Sequence, residues 1–458
     1  MKDFSAILKR NAARVVNIFI VCTVLASVLA ISRWKAEPDR VIVWDVISYY
    51  AYLPATFIYK DISLEFTQGY QGPHTFVFWP EKAPNGKKVI KTSMGLSVLM
   101  APFFFIGHGL AYLLGYDTGG YSLPYRLMLM LSIVFYFALG LYFLRKLLQS
   151  FFSTRTTVIT LLLIGIGTNL FTYAATEVPL SHVYSFALVA AFLWFTVHWY
   201  EEKKVKHAVV IGLLAGLISL VRPTNILIGL FFLFYEITTV GKLKERASLL
   251  VQYRRQILLM VIISLLVWIP QMAYWKMQTG HFLFFSYTGE RFFFSQPKII
   301  ECLFSYRKGW LLYTPVMAMA LAGMVFLYRK NRELFLPLVI FIILNLYVIS
   351  SWWCWWYGGS FGLRPMIDSY ALMALPLAAF VQWVSESKRL LKFGLYGLFV
   401  FFISLSVFQT MQYHIGYIHS DAMTKKAYRD VFFRLHGNGH YWQDIQSPDY
   451  EAARKGIR

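Results

Sequence analysis

Long apolar runs alternate with short polar segments along most of the chain. After a first run at about 15–31, apolar runs lie near 93–115, 123–144, 156–175, 182–199, 208–221, 224–239, 257–275, 310–328, 333–351, 366–384 and 390–410. Many of these runs approach the roughly 20 residues that a helix needs to cross a bilayer. The pattern therefore predicts an all-α, polytopic bundle of transmembrane helices.

Basic residues between the runs indicate how the bundle is oriented. Clusters of Lys and Arg recur after every second span, at 145–155, 203–206, 242–255, 329–332 and 388–392. Since Lys and Arg are enriched in cytoplasmic loops, we expect all five clusters on the cytoplasmic side. The basic N-terminus is expected there too, as part of an uncleaved first span rather than a signal peptide. The segment 32–92 then becomes a long first external loop.

The run 93–115 is the one that we expect not to cross the membrane. Counting it as a span would place the cluster at 145–155 outside, and it contains Gly95, Pro102, Gly107 and Gly109. A juxtamembrane or re-entrant helix resolves this conflict. The expected architecture is about 11 spans, within a range of 10–13. It comprises a transmembrane domain at 1–410 and a short external tail at 411–458.

Composition supports a membrane protein and excludes several other classes. Of 458 residues, 58% are hydrophobic and 15% are charged, whereas soluble domains are about half apolar and a quarter charged. These values exclude a soluble enzyme, a disordered chain and a disulfide scaffold. The net charge of +21 is explained by basic loops facing anionic membrane lipids, so no nucleic-acid partner is expected. Three scattered cysteines show neither a disulfide framework nor metal-ligand spacing.

Ionisable residues gather at the outward ends of the predicted spans. A charge at the bilayer centre costs roughly 2.5–3.5 kcal/mol or more, so such residues are candidates for function. They are Asp45, Lys91, Glu177, His182, Arg222, Glu290, Arg291, Arg307, Lys308, Arg364 and Asp368. A carboxylate beside fixed cations suits a general base acting with an anionic leaving group. The cytoplasmic loops carry no nucleotide motif, so a donor activated by a lipid phosphate fits this face.

An Asp shortly after the first span, a long first external loop and a second polar motif opening a later loop occur together here. In these features the chain resembles the GT-C superfamily of integral-membrane glycosyltransferases, especially bacterial members akin to protein mannosyltransferases and aminoarabinose transferases. The resemblance covers most of 1–410 as architecture. Lys91, in Lys91-Thr92-Ser93-Met94-Gly95, lies where relatives carry a lysine for the carrier phosphate. Glu177 and His182 occupy the place of the second acidic motif, but Leu180 follows Pro179 where relatives have Asp, which leaves open which of the two takes that role.

The resemblance implies an inverting transfer of a sugar from a polyprenyl-phosphate donor to an acceptor hydroxyl. It places this reaction at the outer face of a bacterial inner membrane, with a lipid, a protein or a polysaccharide as acceptor. Asp45 would be the general base, and Lys91 with Arg222, Arg307 or Lys308 would stabilise the departing phosphate. The expected substrate-lining residues are Tyr49, Tyr50, Trp355, Tyr357, Arg364 and Asp368. No cofactor is required; a divalent metal is compatible with the scheme, but the sequence shows no ligand set for one.

Each candidate residue also has a structural interpretation. Asp45 suits a helix N-cap, Glu177 a solvated helix end, and His182 a local hydrogen bond. Arg222-Pro223 suits a helix break with a snorkelling arginine, and Arg307 and Lys308 suit interfacial anchors. Arg364 and Asp368, four residues apart, suit an ion pair. The Trp-rich stretch at 352–357 suits an interfacial aromatic belt.

Two other functions compete with the transferase. A transporter or flippase for a lipid-linked saccharide would place its charges near the bilayer midplane on broken helices, often within an inverted repeat. The sequence shows no repeat and has polar motifs at span ends. A glycan polymerase or ligase using lipid-pyrophosphate donors would also need outward cations. The early Asp45 favours the transferase.

Overall fold

The computed structural model describes residues 2–35, 40–67, 80–437 and 439–458, with side chains from residue 11 onward. The segments 36–39 and 68–79 of the predicted first external loop lie outside the described residues. The described chain is helical apart from one short hairpin, in which β1 (Glu81–Lys82) pairs antiparallel with β2 (Lys88–Val89). The prediction of an all-α bundle is confirmed.

Twenty α-helices follow one another along the described chain. The first ten are α1 (Lys2–Ile31), α2 (Asp45–Phe57), α3 (Gly95–Leu113), α4 (Leu123–Phe151), α5 (Thr154–Gly165), α6 (Asn169–Ala175), α7 (Ser181–Glu202), α8 (Val205–Val221), α9 (Gly229–Phe234) and α10 (Val240–Gln252). The others are α11 (Arg254–Thr279), α12 (Ile299–Phe304), α13 (Trp310–Tyr313), α14 (Val316–Lys330), α15 (Phe335–Ser351), α16 (Tyr370–Glu386), α17 (Arg389–His414), α18 (Lys425–Val431), α19 (Tyr441–Asp444) and α20 (Tyr450–Arg454). Short 3₁₀ turns occupy Arg33–Lys35, Glu65–Thr67, Pro223–Ile228, Arg332–Leu334 and Arg364–Ser369.

Eight helical segments of the described chain are long and apolar enough to cross a membrane. They are Asn11–Lys35, Gly95–Leu113, Leu123–Phe151, Ser181–Glu202, Arg254–Thr279, Arg332–Ser351, Arg364–Glu386 and Arg389–His414. The pair α5 and α6, bent by 64°, would make a ninth. The predicted count of eleven is therefore not confirmed.

Proline accounts for part of the difference in span count. The run 224–239 is divided into the 3₁₀ turn Pro223–Ile228 and the six-residue α9, and Pro315 separates α13 from the 15-residue α14. Because proline has no N–H and fixes its own φ angle, it tends to begin a helical segment rather than continue one.

The helix α3 runs unbroken through Pro102 and is one of the eight candidate spans. Two of its glycines, Gly95 and Gly107, lie at close contacts. A Cβ atom at Gly95 would be 2.4 Å from the Val221 nitrogen, and one at Gly107 would be 3.0 Å from the Tyr125 Cα atom. The residues that suggested an interrupted segment thus allow α3 to pack closely against its neighbours.

The helices α7 and α16 form the centre of the bundle. Of their most apolar windows, 83% and 89% are buried, compared with 17% for both α11 and α17. At one end of the bundle, which we call the site end, α7 begins, α8 and α15 finish, and the turn Arg364–Ser369 leads into α16. At the opposite end, an ion pair joins Lys330 and Glu386, the last residues of α14 and α16.

Candidate active site at one end of the helix bundle

Asp45 is the first residue of α2, the next α-helix after the first span. Trp44 occupies the N-cap position with φ 52° and makes no side-chain capping bond, so Asp45 is not the cap. One carboxylate oxygen, Oδ2, lies 2.9 Å from the Arg364 guanidinium. The Asp45 side chain remains 44% exposed, so a substrate can still reach this carboxylate.

Arg364 is brought to Asp45 by the loop that precedes α16. Gly362 in this loop has φ +58°, and a Cβ atom there would lie 3.1 Å from the Tyr313 Cβ atom. A glycine satisfies both constraints. Arg364 is the first residue of the 3₁₀ turn, and Pro365 follows it in the chain. Its guanidinium is 16% exposed, so the loop holds a largely buried cation beside Asp45.

Asp368, four residues later, anchors a separate buried network. Its Oδ1 atom lies 2.8 Å from His182 Nδ1. Its Oδ2 atom accepts a hydrogen bond from the Asn225 side chain at 2.8 Å and lies 3.4 Å from Arg222 Nε. Arg364 and Asp368 thus have different partners instead of forming an ion pair with each other. The network fixes the Arg222 guanidinium at the end of α8, where Pro223 stops the helix.

Tyr49 lies one helical turn after Asp45 and is buried. Burial raises the pKa of Tyr49; the Asp45 carboxylate adds to the rise, whereas Arg222 and Arg364 oppose it. Burial likewise raises the pKa of Tyr287, and here Tyr49 and Asp45 add to the rise while Arg222 opposes it. One carboxylate, two guanidiniums and two phenols therefore influence one another electrostatically at the site end of the bundle.

Tyr357 belongs to the same group. It has φ +57° and donates a hydrogen bond of 3.0 Å from its hydroxyl to the Ile349 carbonyl. Burial raises its pKa, and Arg222 and Arg364 oppose the rise. Tyr357 is therefore within electrostatic reach of both arginines, and its substrate-lining role stays a prediction.

Lys91 lies at the edge of this group. Its amine is 2.6 Å from Glu290 Oε1 and 3.8 Å from Glu81 Oε1. The amine also lies 5.3 Å from the centre of the Tyr287 ring. Lys91 therefore ties the segment just after the hairpin to the loop after α11, next to a phenol of the site.

Glu177 and His182 lie in different surroundings. Glu177 is 3.9 Å from Arg33. Burial raises the pKa of Glu177, whereas Arg33 and Arg364 oppose the rise. His182 instead contacts Asp368. His182 and Glu177, which the sequence left as alternatives for the second acidic motif, thus have different partners. His182 contacts Asp368 and Arg222, whereas Glu177 lies beside Arg33.

Arg307 and Lys308 contact the C-terminal tail. Arg307 donates hydrogen bonds to the Asp421 carbonyl at 2.6 Å and the Gln446 carbonyl at 3.1 Å. The fully buried Lys308 amine bonds to the Ser360 carbonyl at 2.6 Å, the Ser360 hydroxyl at 2.8 Å and the Ser420 carbonyl. Burial lowers the pKa of Lys308 to about 7. Both cations are therefore engaged by protein groups.

The Trp-rich stretch is covered by the same tail. Trp353, Trp355 and Trp356 are buried, and Tyr450 of the tail packs against the rings of Trp353 and Trp356. Such packing differs from that of an interfacial belt facing lipid. Trp355 contacts Trp356, and its carbonyl accepts a weak bond from the Cys302 thiol.

Tyr50 points away from Asp45. Its hydroxyl donates to the Gly120 carbonyl at 2.5 Å, and its ring packs against Phe104 and Tyr121. It is fully buried, so these contacts account for the side chain.

Sequence reasoning missed two members of the group, Asn225 and Tyr287. Asn225 lies near the start of the run 224–239, which was interpreted as one span. A polar residue two positions after Pro223 was the sequence feature that could have identified it. Tyr287 is one of many aromatic residues in its loop, and nothing local distinguishes it.

No group of three or more His, Cys, Asp or Glu side chains among the described residues could hold a metal ion. Asp45 pairs with a guanidinium, and Asp368 pairs with His182 and Arg222.

The long apolar helices are those of an integral membrane protein, as the sequence predicted, and the fold has a counterpart among solved structures. The structure is similar to that of the archaeal oligosaccharyltransferase AglB from Archaeoglobus fulgidus, which was solved in complex with an inhibitory peptide and a dolichol-phosphate. The TM-score is 0.51 at 13% sequence identity, over 96% of this chain and 62% of that chain. This chain thus spans less than two thirds of AglB. No protein-family model matches the sequence, and no curated protein matches it.

Proposed function

We propose that this protein transfers a glycosyl group from a polyprenyl-phosphate donor to an acceptor hydroxyl, with Asp45 as general base. The observation that carries the proposal is the accessible Asp45 carboxylate paired with Arg364, with Arg222 held nearby by Asp368. The fold supports the proposal, because it is similar to that of AglB, which was solved in complex with a dolichol-phosphate. The site end would face outward, as the basic loops at the opposite end suggest.

In the proposed step, Asp45 accepts the proton of the acceptor hydroxyl as its oxygen attacks the anomeric carbon. The bond between that carbon and the phosphate oxygen breaks, and its electron pair leaves with the lipid phosphate. Attack from the face opposite the leaving group inverts the anomeric configuration. The Arg364 contact orients the carboxylate, and the exposed part of Asp45 receives the acceptor.

The departing phosphate requires cations that are already in place. Arg222 and Arg364 are well suited because a guanidinium presents paired donors to phosphate oxygens. Arg364 contacts Asp45 at the start of α2, and both guanidiniums influence the pKa of Tyr49 and of Tyr357. Lys91 adds a third positive charge beside Tyr287. Fixed charges that face the developing phosphate charge lower the barrier without reorganising.

The remaining residues receive supporting roles in this proposal. Asp368, His182 and Asn225 hold Arg222 and do not themselves touch the reacting atoms. Glu177 pairs with Arg33. Arg307 and Lys308 retain the tail, since their donors are engaged there. Tyr49 and Tyr357 would line the substrate site near Asp45 and the arginines, whereas Tyr50 and Trp355 would support it from within the protein.

A turnover assay tests the proposal. The purified protein, in nanodiscs carrying a panel of polyprenyl-phosphate sugars, receives crude envelope acceptors, and release of free polyprenyl phosphate is measured. We expect sugar-dependent release that Asp45→Asn reduces by at least about a hundredfold, in the range of a lost general base. Asp117→Asn, which removes an exposed carboxylate from another loop, serves as the matched control and should keep full activity.

Equal release by wild type and a folded Asp45→Asn variant would refute Asp45 as the base. Transbilayer movement of a lipid-linked saccharide without release of the phosphate would instead support a transporter. Release of polyprenyl pyrophosphate from pyrophosphate-linked donors would support a polymerase or ligase.

A further inference from the structure

A second candidate site, with apolar walls and a few polar groups, lies at the opposite end of the bundle from Asp45. There α14 finishes, the turn Arg332–Leu334 leads into α15, and the short α9 connects to α10. Between these elements lies a cavity of about 360 Å³, within the range of about 300–1,000 Å³ that is typical of ligand sites. The cavity plays no part in the proposed transfer reaction.

The lining of this cavity is apolar except at its rim. Its walls are Phe234, Ile237, Val240, Leu243, Tyr328, Phe335 and Leu336. Val240, Leu243 and Tyr328 are 78%, 48% and 44% exposed, so the cavity opens to the outside through apolar side chains. An opening of this kind at the end of a membrane helix suits a hydrocarbon chain rather than a water-soluble ligand.

The helix α10 explains which surroundings the opening faces. Apolar residues at 240, 243, 247, 250 and 251 share one face of α10, and Val240, Leu243 and Val251 on that face are exposed. On another side of the helix, Arg246 is buried against the Tyr235 carbonyl and the Tyr200 ring. An amphipathic helix held in this way lies in the membrane interface with its apolar face towards the acyl chains.

Cationic and hydroxyl groups lie at the rim. Arg332, Thr238 and Thr239 line the cavity beside the apolar walls. Arg332 is exposed, its guanidinium lies 4.9 Å from the centre of the Tyr328 ring, and it forms no ion pair with any described residue. Two neighbouring lysines have carboxylate partners, Lys330 with Glu386 and Lys242 with Glu245. Arg332 therefore presents an exposed positive charge beside an apolar opening.

We propose that this site binds one anionic phospholipid of the adjacent leaflet. An acyl chain occupies the cavity, and the headgroup phosphate lies against the Arg332 guanidinium and the Thr238 hydroxyl. Arginine is favoured for phosphate because it presents several donors in one plane. The bound lipid fastens α10 to the turn before α15, the two elements that form the two sides of the opening.

Native mass spectrometry of the delipidated protein tests the proposal. The probes are dioleoyl phosphatidylglycerol, which is anionic, and dioleoyl phosphatidylcholine, which is zwitterionic. We expect wild type to bind one phosphatidylglycerol more tightly than phosphatidylcholine. Arg332→Gln should weaken the first phosphatidylglycerol binding about fivefold, as expected for one interfacial cation, with little effect on phosphatidylcholine.

Two further variants distinguish the site from general membrane affinity. Leu336→Trp fills the cavity and should remove the tight phosphatidylglycerol binding while the headgroup cation remains. Arg389→Gln is the matched control, because Arg389 is also exposed, lies after the end of α16 and stacks on an aromatic ring, that of Phe393. It should bind phosphatidylglycerol as wild type does.

Three results would overturn the proposal: equal wild-type affinity for the two lipids, unchanged phosphatidylglycerol affinity in Arg332→Gln, or tight binding that survives Leu336→Trp. Thermal unfolding of each variant confirms that it is folded. The assay contains no sugar donor, so its outcome is independent of whether the proposed transferase function is correct.

Discussion

Arg222 depends on Asp368 for its position, and this dependence is the main feature of the site at the scale of single residues. Asp368 Oδ1 lies 2.8 Å from His182 Nδ1, and Oδ2 accepts a hydrogen bond of 2.8 Å from the Asn225 side chain. Arg222 Nε lies 3.4 Å from Oδ2. A buried carboxylate with several partners is stable only while those partners remain. Its neutral amide analogue would keep part of the hydrogen bonding but lose the charge that holds the guanidinium.

Asp368→Asn is therefore expected to lower turnover about tenfold to a hundredfold, because Arg222 loses its fixed position. The measurement is the initial rate of polyprenyl-phosphate release at saturating donor, with the fold checked by thermal unfolding. Arg222→Lys should show a similar loss, since a single ammonium cannot reproduce the paired contacts of a guanidinium. A folded Asp368→Asn variant with wild-type turnover would show that Arg222 needs no such support.

For single residues, the sequence could indicate candidates for the site but not the contacts between them. Asp45 became a candidate base through the resemblance, because its position after the first span alone fitted a helix cap equally well. Its partner Arg364 could be named as a candidate, but their contact joins distant parts of the chain and leaves no local pattern. The expectation of a pair between Arg364 and Asp368 rested on a spacing of four residues, whereas tertiary packing gives each a different partner.

At the scale of elements, close contact between helices determines where α2 and Arg222 meet. The helix α3 passes so near the end of α8 that a Cβ atom at Gly95 would lie 2.4 Å from the backbone nitrogen of Val221, next to Arg222. The Ser97 hydroxyl on the same helix donates to the Tyr49 carbonyl of α2. The helix α3 thus holds the Asp45 helix and the Arg222 segment together.

Gly95→Ala is expected to destabilise the protein by about 1–3 kcal/mol, the usual cost of overpacking a well-packed contact. It should also reduce turnover by displacing Arg222 from Asp45. Gly109→Ala on the same helix is the matched control, because a Cβ atom there meets nothing within 4 Å. Alanine favours a helix over glycine by up to about 1 kcal/mol, so this control should keep or raise the stability. Thermal unfolding of both variants tests the contrast, and equal destabilisation would contradict it.

The apolar pattern predicted helices well and their continuity less well. Eight segments have the expected length and composition, because apolar side chains at membrane depth leave few alternatives to a helix. The break at Pro315 lies inside the run 310–328, which looked continuous, whereas Pro223 lies between two runs and already suggested a helix break. Pro102 and the glycines of the run 93–115 favoured a juxtamembrane or re-entrant helix. The helix α3 is continuous through Pro102 and is long and apolar enough to cross a membrane, and Gly95 and Gly107 in it serve close packing. Hydrophobicity alone does not show which of these uses a glycine serves.

For the whole molecule, the C-terminal tail completes the site end. Arg458 donates to the Ser351 and Trp352 carbonyls at 3.3 and 2.7 Å, and Tyr450 covers Trp353 and Trp356. These contacts fasten the loop that runs from α15 to Arg364. The sequence could not decide between a covering tail and one lying on the membrane, because backbone carbonyls accept most of its bonds and leave no residue pattern.

The buried amine of Lys308 makes this packing sensitive to pH. Burial lowers its pKa to about 7, below the value near 10.5 expected for an unfolded chain. The folded protein therefore disfavours the charged form, and its stability should rise as pH increases from about 7 towards 10.5. The slope attributable to one such group is at most about 1.4 kcal/mol per pH unit. A neutral amine still satisfies the site, because it can donate to the Ser360 and Ser420 carbonyls and accept from the Ser360 hydroxyl.

Lys308→Met should remove that increase, since a thioether side chain has no proton to lose in this range. The measurement is the unfolding temperature of wild type and variant between pH 7 and 9.5, compared as a difference at each pH so that titration of other groups cancels. Lys388→Met, at an exposed position at the opposite end of the bundle, should run parallel to wild type. If the Lys308→Met curve also ran parallel, Lys308 would carry the same charge in the folded and unfolded chain. The tail would then be held by a permanent ammonium rather than by an amine that titrates near neutral pH.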